Sequence, residues 1–593
     1  MSIFYDETNR IFRLETNKTA YAFQVTQWGY LAHLHWGSKV RPTAYDRVLQ
    51  FRSRSGVSPR PDPSFPGFSL DTMPQEYSTY GSGDFRAPAI EVELPNGSMV
   101  LDLKYRSHRI MTGKPALEGL PSTYAADGDG TQTLEVELYD ELTGLSVFLS
   151  YSVFPEYDAI TRSARIVNSG SMKLKLARAL SMSVDLPHMD FDFLQLSGAH
   201  VRERYVHKRP LTPGSTAIES RRGVSGHQQN PFIALLGKQT TEDFGDVYGF
   251  SLVYSGSFLA AAEVDQFYTT RVLVGINPFE FGWQLDPGST FQTPETVLVY
   301  SNQGLGGMSR IYHHLYRDRL CRGVYQHKER PILVNNWEAT YFKFNTEKLL
   351  DIAKVGADLG IELFVLDDGW FGRRDNDRSS LGDWFVDRNK LPEGLDYLAK
   401  KVEELGMKFG LWFEPEMISP DSDLYRAHPD WCIHVPDRRR TLGRNQLVLD
   451  LSRQDVRDYI VDAVCKVLES APISYVKWDM NRNMTEIGSA LLPPERQRET
   501  AHRYMLGLYE IMDRITSRFP NILFESCAGG GGRFDPGMLY YMPQTWTSDN
   551  TDAINRLSIQ WGTSIVYPPV TMGAHVSAVP NHQVGRTTPL KTR

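Results

Sequence analysis

Cysteine is scarce in this sequence. Its 593 residues hold four, Cys321, Cys432, Cys465 and Cys527, at neither paired nor metal-ligand spacing, which excludes a disulfide-stapled scaffold and a cysteine-built zinc site. A basic excess is lacking as well. The 64 Lys and Arg stand against 71 Asp and Glu, for a net charge of −7, so neither nucleic acid nor an anionic membrane is the expected partner. No run approaches the roughly 20 apolar residues of a membrane span. Residues 1–13 mix charge with Phe4 and Tyr5 and lack the apolar stretch of a signal peptide, so the cytoplasm is the expected compartment. What is plentiful is aromatic: 12% of the chain, with 11 Trp, which suits a surface that stacks on flat or ring-shaped ligands. The length exceeds what one core supports, so two or more domains are expected.

The first 303 residues alternate short strands and turns. Leu134, Val136 and Leu138 alternate with Thr133, Glu135 and Glu137, the period of a half-buried strand. Residues 140–144 turn this strand back into 145–149 as a hairpin. Asn96-Gly97 signals a second hairpin, between 92–94 and 99–101. Few helix-length patterns occur, which predicts a large antiparallel sandwich. Residues 47–68, rich in Arg, Ser and Pro, read as a long exposed loop, and a helix-like stretch over 306–322 connects the two halves.

The second half alternates strand and helix. Apolar strands at 332–334, 363–366, 409–413, 473–476, 522–524, 545–546 and 564–567 each run into polar or aromatic residues. Helical spacing intervenes at 346–359, closed by Gly360, at 395–405, closed by Gly406, and through Tyr504, Leu508, Ile511 and Ile515. Ser452 and Asp455 form a capping-box pattern ahead of a helix over 452–468. An open doubly wound sheet gathers its ligand groups at one switch point. Here every strand end is loaded, the pattern of a (β/α)₈ barrel.

The stretch Tyr475-Val476-Lys477-Trp478-Asp479-Met480-Asn481 organises this half. Lys477 and Asp479 leave a buried strand on one face, and an ordinary salt bridge is the bland alternative. The acids at these strand ends are Asp367, Asp368, Glu414, Glu416, Asp479, Glu525, Asp549 and Asp552. A divalent-cation site is one reading, but Lys477 and Arg444 stand among them and no histidine has metal spacing. Sugar chemistry is the other, with acids bonding hydroxyls and Trp337, Trp412 and Trp546 lining the ring. Residues 529–532, four consecutive glycines, lack the Gly-Lys-Ser/Thr ending of a phosphate loop and read as backbone brought close to a ligand or as a permissive turn.

Leu366-Asp367-Asp368-Gly369-Trp370-Phe371, Trp412-Phe413-Glu414-Pro415-Glu416-Met417, Lys477-Trp478-Asp479-Met480-Asn481, Cys527-Ala528-Gly529-Gly530-Gly531-Gly532-Arg533 and Trp546-Thr547-Ser548-Asp549-Asn550-Thr551-Asp552-Ala553 together resemble the bacterial α-galactosidases of glycoside hydrolase family 36. The resemblance covers essentially the whole chain. It implies an N-terminal β-supersandwich over 1–303, a helical linker over 304–325 and a (β/α)₈ catalytic barrel over 326–593. It also implies retaining hydrolysis of terminal α-galactosides such as melibiose and raffinose, without metal or organic cofactor. Position by position, Asp479 matches the family nucleophile and Asp549 its acid/base. Asp367 and Asp368 match the acids on the O4 and O6 hydroxyls of galactose. Trp337, Trp412, Arg444, Lys477, Asn481, Cys527, Gly530 and Trp546 match or adjoin the remaining pocket lining. Retention needs two carboxyl groups about 5–5.5 Å apart across the anomeric carbon. Lys477 is expected to hold Asp479 ionised, and burial or a neighbouring negative charge to keep Asp549 protonated.

The family plan continues past this sequence. No eighth strand and no C-terminal sandwich is visible before Arg593, so an incomplete barrel with weak or absent activity is expected for the chain as given. A galactosyl transferase of the raffinose- or stachyose-synthase type and a catalytically impaired galactoside-binding form are the alternative functions. Many family members are tetramers, and residues 47–68 are the candidate contact with a neighbour if the full-length protein is made.

Overall fold

The computed structural model describes residues 2–42, 45, 48, 49, 51 and 56–593. Three antiparallel sheets come first: one of four strands from Ile3–Asp6 to Leu31–Ser38, one of six around the long strand Leu174–Leu186, and one of ten whose edges are Arg202–Pro210 and Lys104–Thr112. The hairpin of Gln132–Asp140 with Leu145–Phe154 forms as the alternation requires, pairing Val136 with Leu149 and Leu138 with Val147. Those four side chains join one buried cluster with Ile160, Met182 and Val184. The sandwich interior is built from this period-2 burial.

The second expected hairpin does not form. Leu94 and Ser98 close the Asn96-Gly97 turn, yet Ile90–Glu93 pairs with Leu174–Leu186 instead. The returning chain is drawn away, as the Leu101 amide donates to the Tyr80 carbonyl. Of the loop over 47–68, residues 47, 50 and 52–55 lie outside the described residues. The described remainder is mostly exposed, as expected, and is pinned where Phe68 stacks on Trp28 at 3.7 Å and Phe51 meets the same ring edge-on.

The helix Gly304–Arg319 leads from sandwich to barrel. It buries Met308, Tyr312, Leu315 and Tyr316 against Phe232 and Val297 on one side and Ile565, Val566 and Tyr567 on the other. Each such side chain contributes about 1.5–3 kcal/mol. This cluster explains a misread segment. The apolar run Ile565-Val566-Tyr567 reads as a strand, but it follows a helix, Ala553–Ser564, and is buried between domains. The seventh parallel strand is Met572–Gly573.

Seven parallel strands run in chain order: Leu333–Asn335, Leu363–Leu366, Lys408–Phe413, Ile473–Trp478, Leu523–Ser526, Gln544–Trp546 and Met572–Gly573. Their register sets Trp412 beside Lys477, Lys477 beside Glu525 and Glu525 beside Gln544. One ring of side chains therefore leaves the barrel at one height. The helices Thr346–Asp358, Leu395–Glu404, Gln454–Glu469 and Thr500–Arg518 return the chain between strands. The Ser452 capping box is absent: the helix begins at Gln454 without a side-chain cap. Ser452 instead donates to Asp450, and Arg453 occupies Asp455.

Candidate active site

Asp479 follows the fourth barrel strand, and its amide donates to the Phe413 carbonyl of the third at 2.8 Å. That bond fixes where the side chain emerges. Its carboxylate collects four donors. Asn481 Nδ2 (2.7 Å) and Trp412 Nε1 (3.3 Å) reach Oδ2, while the amides of Met480 (2.9 Å) and Gly529 (3.3 Å) reach Oδ1. The Cys527 thiol lies close enough for burial first, and then the charge of Asp479, to push it well above its ordinary value.

Lys477 forms its ion pair with Asp367, and Asp479 acts on it through its charge alone. Its Nζ lies 3.1 Å from Asp367 Oδ2, which also accepts from Asn335 Nδ2 at 2.6 Å. Burial works against the ammonium, but the surrounding acids, Asp367 foremost, outweigh it and hold its pKa well above the ordinary value. Asp368 is held differently. Arg374 donates to both of its oxygens at 2.9 Å, and burial pushes the carboxyl up despite that fork. Trp337 packs edge-on against Tyr341 and Phe342, and Phe342 in turn lies under the Arg374 guanidinium. Lys477 also sits 5.7 Å from the centroid of the Trp546 ring.

Asp549 lies on the loop after the sixth strand, its side chain 37% exposed. Trp546 Nε1 donates to Oδ1 at 3.0 Å and His200 Nε2 to Oδ2 at 2.9 Å. The expectation that burial keeps this acid protonated is not met. Burial acts in that direction, but the His200 hydrogen bond and the Lys477 charge prevail, leaving the carboxyl below its ordinary range. Gln583 Nε2 holds the Asp549 carbonyl from the other side at 2.8 Å. Arg444 has a positive φ of 49°. Desolvation works against its charge, but Glu414, Asp479, Asp368 and Asp549 together raise its pKa.

Two strand-end acids are not part of a ligand surface. Glu416 is wholly buried, forked by Arg533 at 2.7 and 3.0 Å and bonded by Trp478 and Tyr504. Asp552 caps the helix Ala553–Ser564 and pairs with Arg586. Glu414 is also buried, its Oε1 accepting from Gln446 and from the Asn481 amide. Burial first, and the Asp479 charge second, push its carboxyl up to about 7.

The glycine run is demanded chiefly by protein neighbours. A Cβ on Gly530, at φ +79°, would lie 2.6 Å from the Asp549 amide nitrogen, and one on Gly531 only 2.2 Å from the Thr547 carbonyl oxygen. The sandwich grips this loop from outside. Arg204 donates to the carbonyls of Gly531 and Thr547, His227 to that of Gly529, and Ser225 and Ser255 to the carboxylate of Asp535. Sequence reading missed all of these groups. A hollow of about 470 Å³ is lined by His200, His227, Arg444, Asn481, Gly529 and Asp549, among others. A second, of about 780 Å³, lies away from these groups, between sandwich and connecting helix.

The melibiase family model matches residues 290–593, and the glycosyl hydrolase family 36 N-terminal domain matches residues 29–286. The α-galactosidase AgaA of Geobacillus stearothermophilus is 64% identical over all of this chain and 81% of its own length. Alpha-galactosidase 1 of Pediococcus pentosaceus is 48% identical over the same shares. Among solved structures, the family 36 α-galactosidase AgaB of G. stearothermophilus superposes with a TM-score of 0.97 at 64% identity, covering 100% of this chain and 81% of that one. The Lactobacillus brevis α-galactosidase superposes at 0.98 with 50% identity, covering 99% and 79%. With both halves matched and relatives this similar across its full length, the chain belongs to the α-galactosidases of glycoside hydrolase family 36.

Proposed function

We propose that the chain hydrolyses terminal α-galactosyl residues of raffinose-type oligosaccharides by double displacement, with Asp479 as nucleophile and Asp549 as acid/base. The observation that carries this reading is the unlike dressing of the two carboxylates. Asp479 is 6% exposed and ringed by fixed donors. The Asp549 side chain is partly exposed, on a hollow open to water and leaving group. Variants of AgaA have been solved with raffinose and with stachyose bound, which supports the substrate class.

In the first step Asp479 attacks the anomeric carbon. The bond to the leaving oxygen breaks, and that oxygen takes the proton of Asp549. A β-galactosyl ester results. In the second step water attacks the same carbon, gives its proton to Asp549, and the ester bond to Asp479 breaks. Two inversions return the α-anomer. Asp367 and Asp368 take the O4 and O6 hydroxyls. Lys477 and Arg374 fix these acids in place, since a carboxylate already committed to a cation keeps its orientation on binding. Trp337, Trp412, Arg444, Cys527, Gly530 and Trp546 shape the rest of the pocket.

The reading extends to a cytoplasmic protein with units 1–303, 304–325 and 326–593, a homotetramer if the full-length protein is made, as the family resemblance implies; analytical ultracentrifugation checks the assembly. The chemistry is tested with Asp479→Ala on an activated aryl α-galactoside. Turnover is expected to vanish and azide to restore part of it, giving the β-galactosyl azide. An azide of α configuration moves the nucleophile elsewhere.

A further inference from the structure

His200 belongs to the turn between the strands Phe191–Ala199 and Arg202–Pro210 of the N-terminal sandwich. It is 349 residues from Asp549 in sequence, yet the two side chains are hydrogen-bonded. The turn is anchored at several points. Glu203, wholly buried, accepts from Ser548 Oγ, and the Val201 carbonyl accepts from Asn550 Nδ2 at 2.9 Å. Arg204, 3% exposed, reaches the Gly531 and Thr547 carbonyls and Thr563 Oγ1 at 2.6–2.7 Å. Residues on both sides of Asp549 are thus tied to the turn that carries His200. Val201 and Arg204 both adopt positive φ, 60° and 54°, a cost that side chains other than glycine bear only where the surroundings over-determine the backbone.

We propose that His200 is a positioning residue for the acid/base, so that the sandwich domain supplies part of the catalytic apparatus from within the same chain. The proposal rests on the reading of Asp549 given above. Trp546 orients one carboxyl oxygen and His200 the other. His200 keeps its Nε2 proton throughout; only the proton on Asp549 moves to the leaving oxygen and is later replaced from water. The hydrogen bond favours the carboxylate, the form needed to deprotonate water in the second step. It disfavours the acid, the form needed in the first. His200 therefore sets the compromise between the two half-reactions. The other charged or titratable groups facing this pair are Lys477, Arg444 and Cys527 from the barrel, Glu203 and His227 from the sandwich, and Arg556 from the helix Ala553–Ser564. The contact with Asp549 raises the His200 pKa above its ordinary value, and Nε2 donates in the charged ring and in the Nε2-protonated neutral tautomer alike.

The test compares pH profiles of kcat/KM on raffinose for His200→Phe, His200→Gln and the parent enzyme. The His200 side chain is 58% exposed, so folding does not depend on it. The alkaline limb reports loss of the Asp549 proton. In His200→Phe it is expected to move up by about one pH unit, and in His200→Gln, which keeps an amide donor, by less. In an Asp549→Ala background, His200→Phe is expected to add no further loss. An unmoved limb in His200→Phe, or an undiminished loss in the Asp549→Ala background, overturns the proposal. Failure of the underlying reading shows separately, as equal loss in Asp549→Ala on substrates with good and poor leaving groups.

Discussion

Replacing Glu416 by glutamine strands a guanidinium inside the protein. Glu416 and Arg533 are both wholly buried and joined at 2.7 and 3.0 Å. At an effective dielectric of 20, two unit charges this close attract by about 5–6 kcal/mol before desolvation is counted. Removing one partner of such a pair costs about 3–5 kcal/mol, because the other charge stays buried. The amide also turns an acceptor into a donor against Trp478 or Tyr504, which both donate to the carboxylate. Glu416→Gln is therefore expected to lose about 3–5 kcal/mol. The double variant Glu416→Met with Arg533→Met is expected to lose well under the sum of its singles, since no charge is left alone. Guanidinium unfolding followed by tryptophan fluorescence measures the parent and these four variants. A Glu416→Gln loss below about 1 kcal/mol, or strict additivity in the double variant, refutes the reasoning. The network also spans the site: Trp478 precedes Asp479, and Arg533 follows the glycine run. Loosening it should lower kcat in the surviving folded protein.

Gly530→Ala places a Cβ 2.6 Å from the Asp549 amide at a φ of +79°, so kcat on any α-galactoside is expected to fall by at least about a hundredfold; near-normal kinetics would contradict the packing described. Asp549→Ala is expected to spare substrates with good leaving groups far more than raffinose, read from kcat/KM on an aryl galactoside series. Glu414, held up at about 7, contributes its full share of stability below its ordinary value near 4.5 and loses it as pH rises through 7. Glu414→Gln is permanently neutral and escapes that loss. Between pH 5 and 8 the parent should therefore lose up to about 3 kcal/mol relative to the variant, read from denaturation midpoints; parallel curves would refute it.

The barrel was legible because its signals are local. Each strand-end motif sits within a few residues of the apolar run that positions it, as in Leu363–Leu366 followed by Asp367 and Asp368. Such a motif does not say what its side chains meet across the barrel. Glu414, Glu416 and Asp479 look alike in sequence, yet Arg533 makes Glu416 structural, and burial, then the charge of Asp479, drives Glu414 toward neutrality. The ion-pair partner of Lys477 is hidden for the same reason. Strand alternation puts Lys477 on the face of Asp479, but parallel register and the bond from Asn335 bring Asp367 closer. Ile565-Val566-Tyr567 failed because an apolar triplet buried between domains carries no period. Nothing near His200 or Arg204 marks them as neighbours of Asp549, since only tertiary folding closes a separation of 349 residues. The glycine run was legible as a demand for close approach, but what approaches most closely is the barrel's own loop at Thr547 and Asp549, with sandwich side chains such as Arg204 next to it.

The central claim is that Asp479 forms a covalent bond to the anomeric carbon while Asp549 only moves protons. A 2-deoxy-2-fluoro-α-galactosyl donor with a strong leaving group slows breakdown of that ester, so that peptide mapping by mass spectrometry can locate it. One added fluorogalactosyl group is expected on the peptide containing Asp479, released on incubation with an acceptor sugar. A label on Asp549 or Glu414, or complete turnover with no labelled peptide and a product inverted at the anomeric carbon, would contradict it.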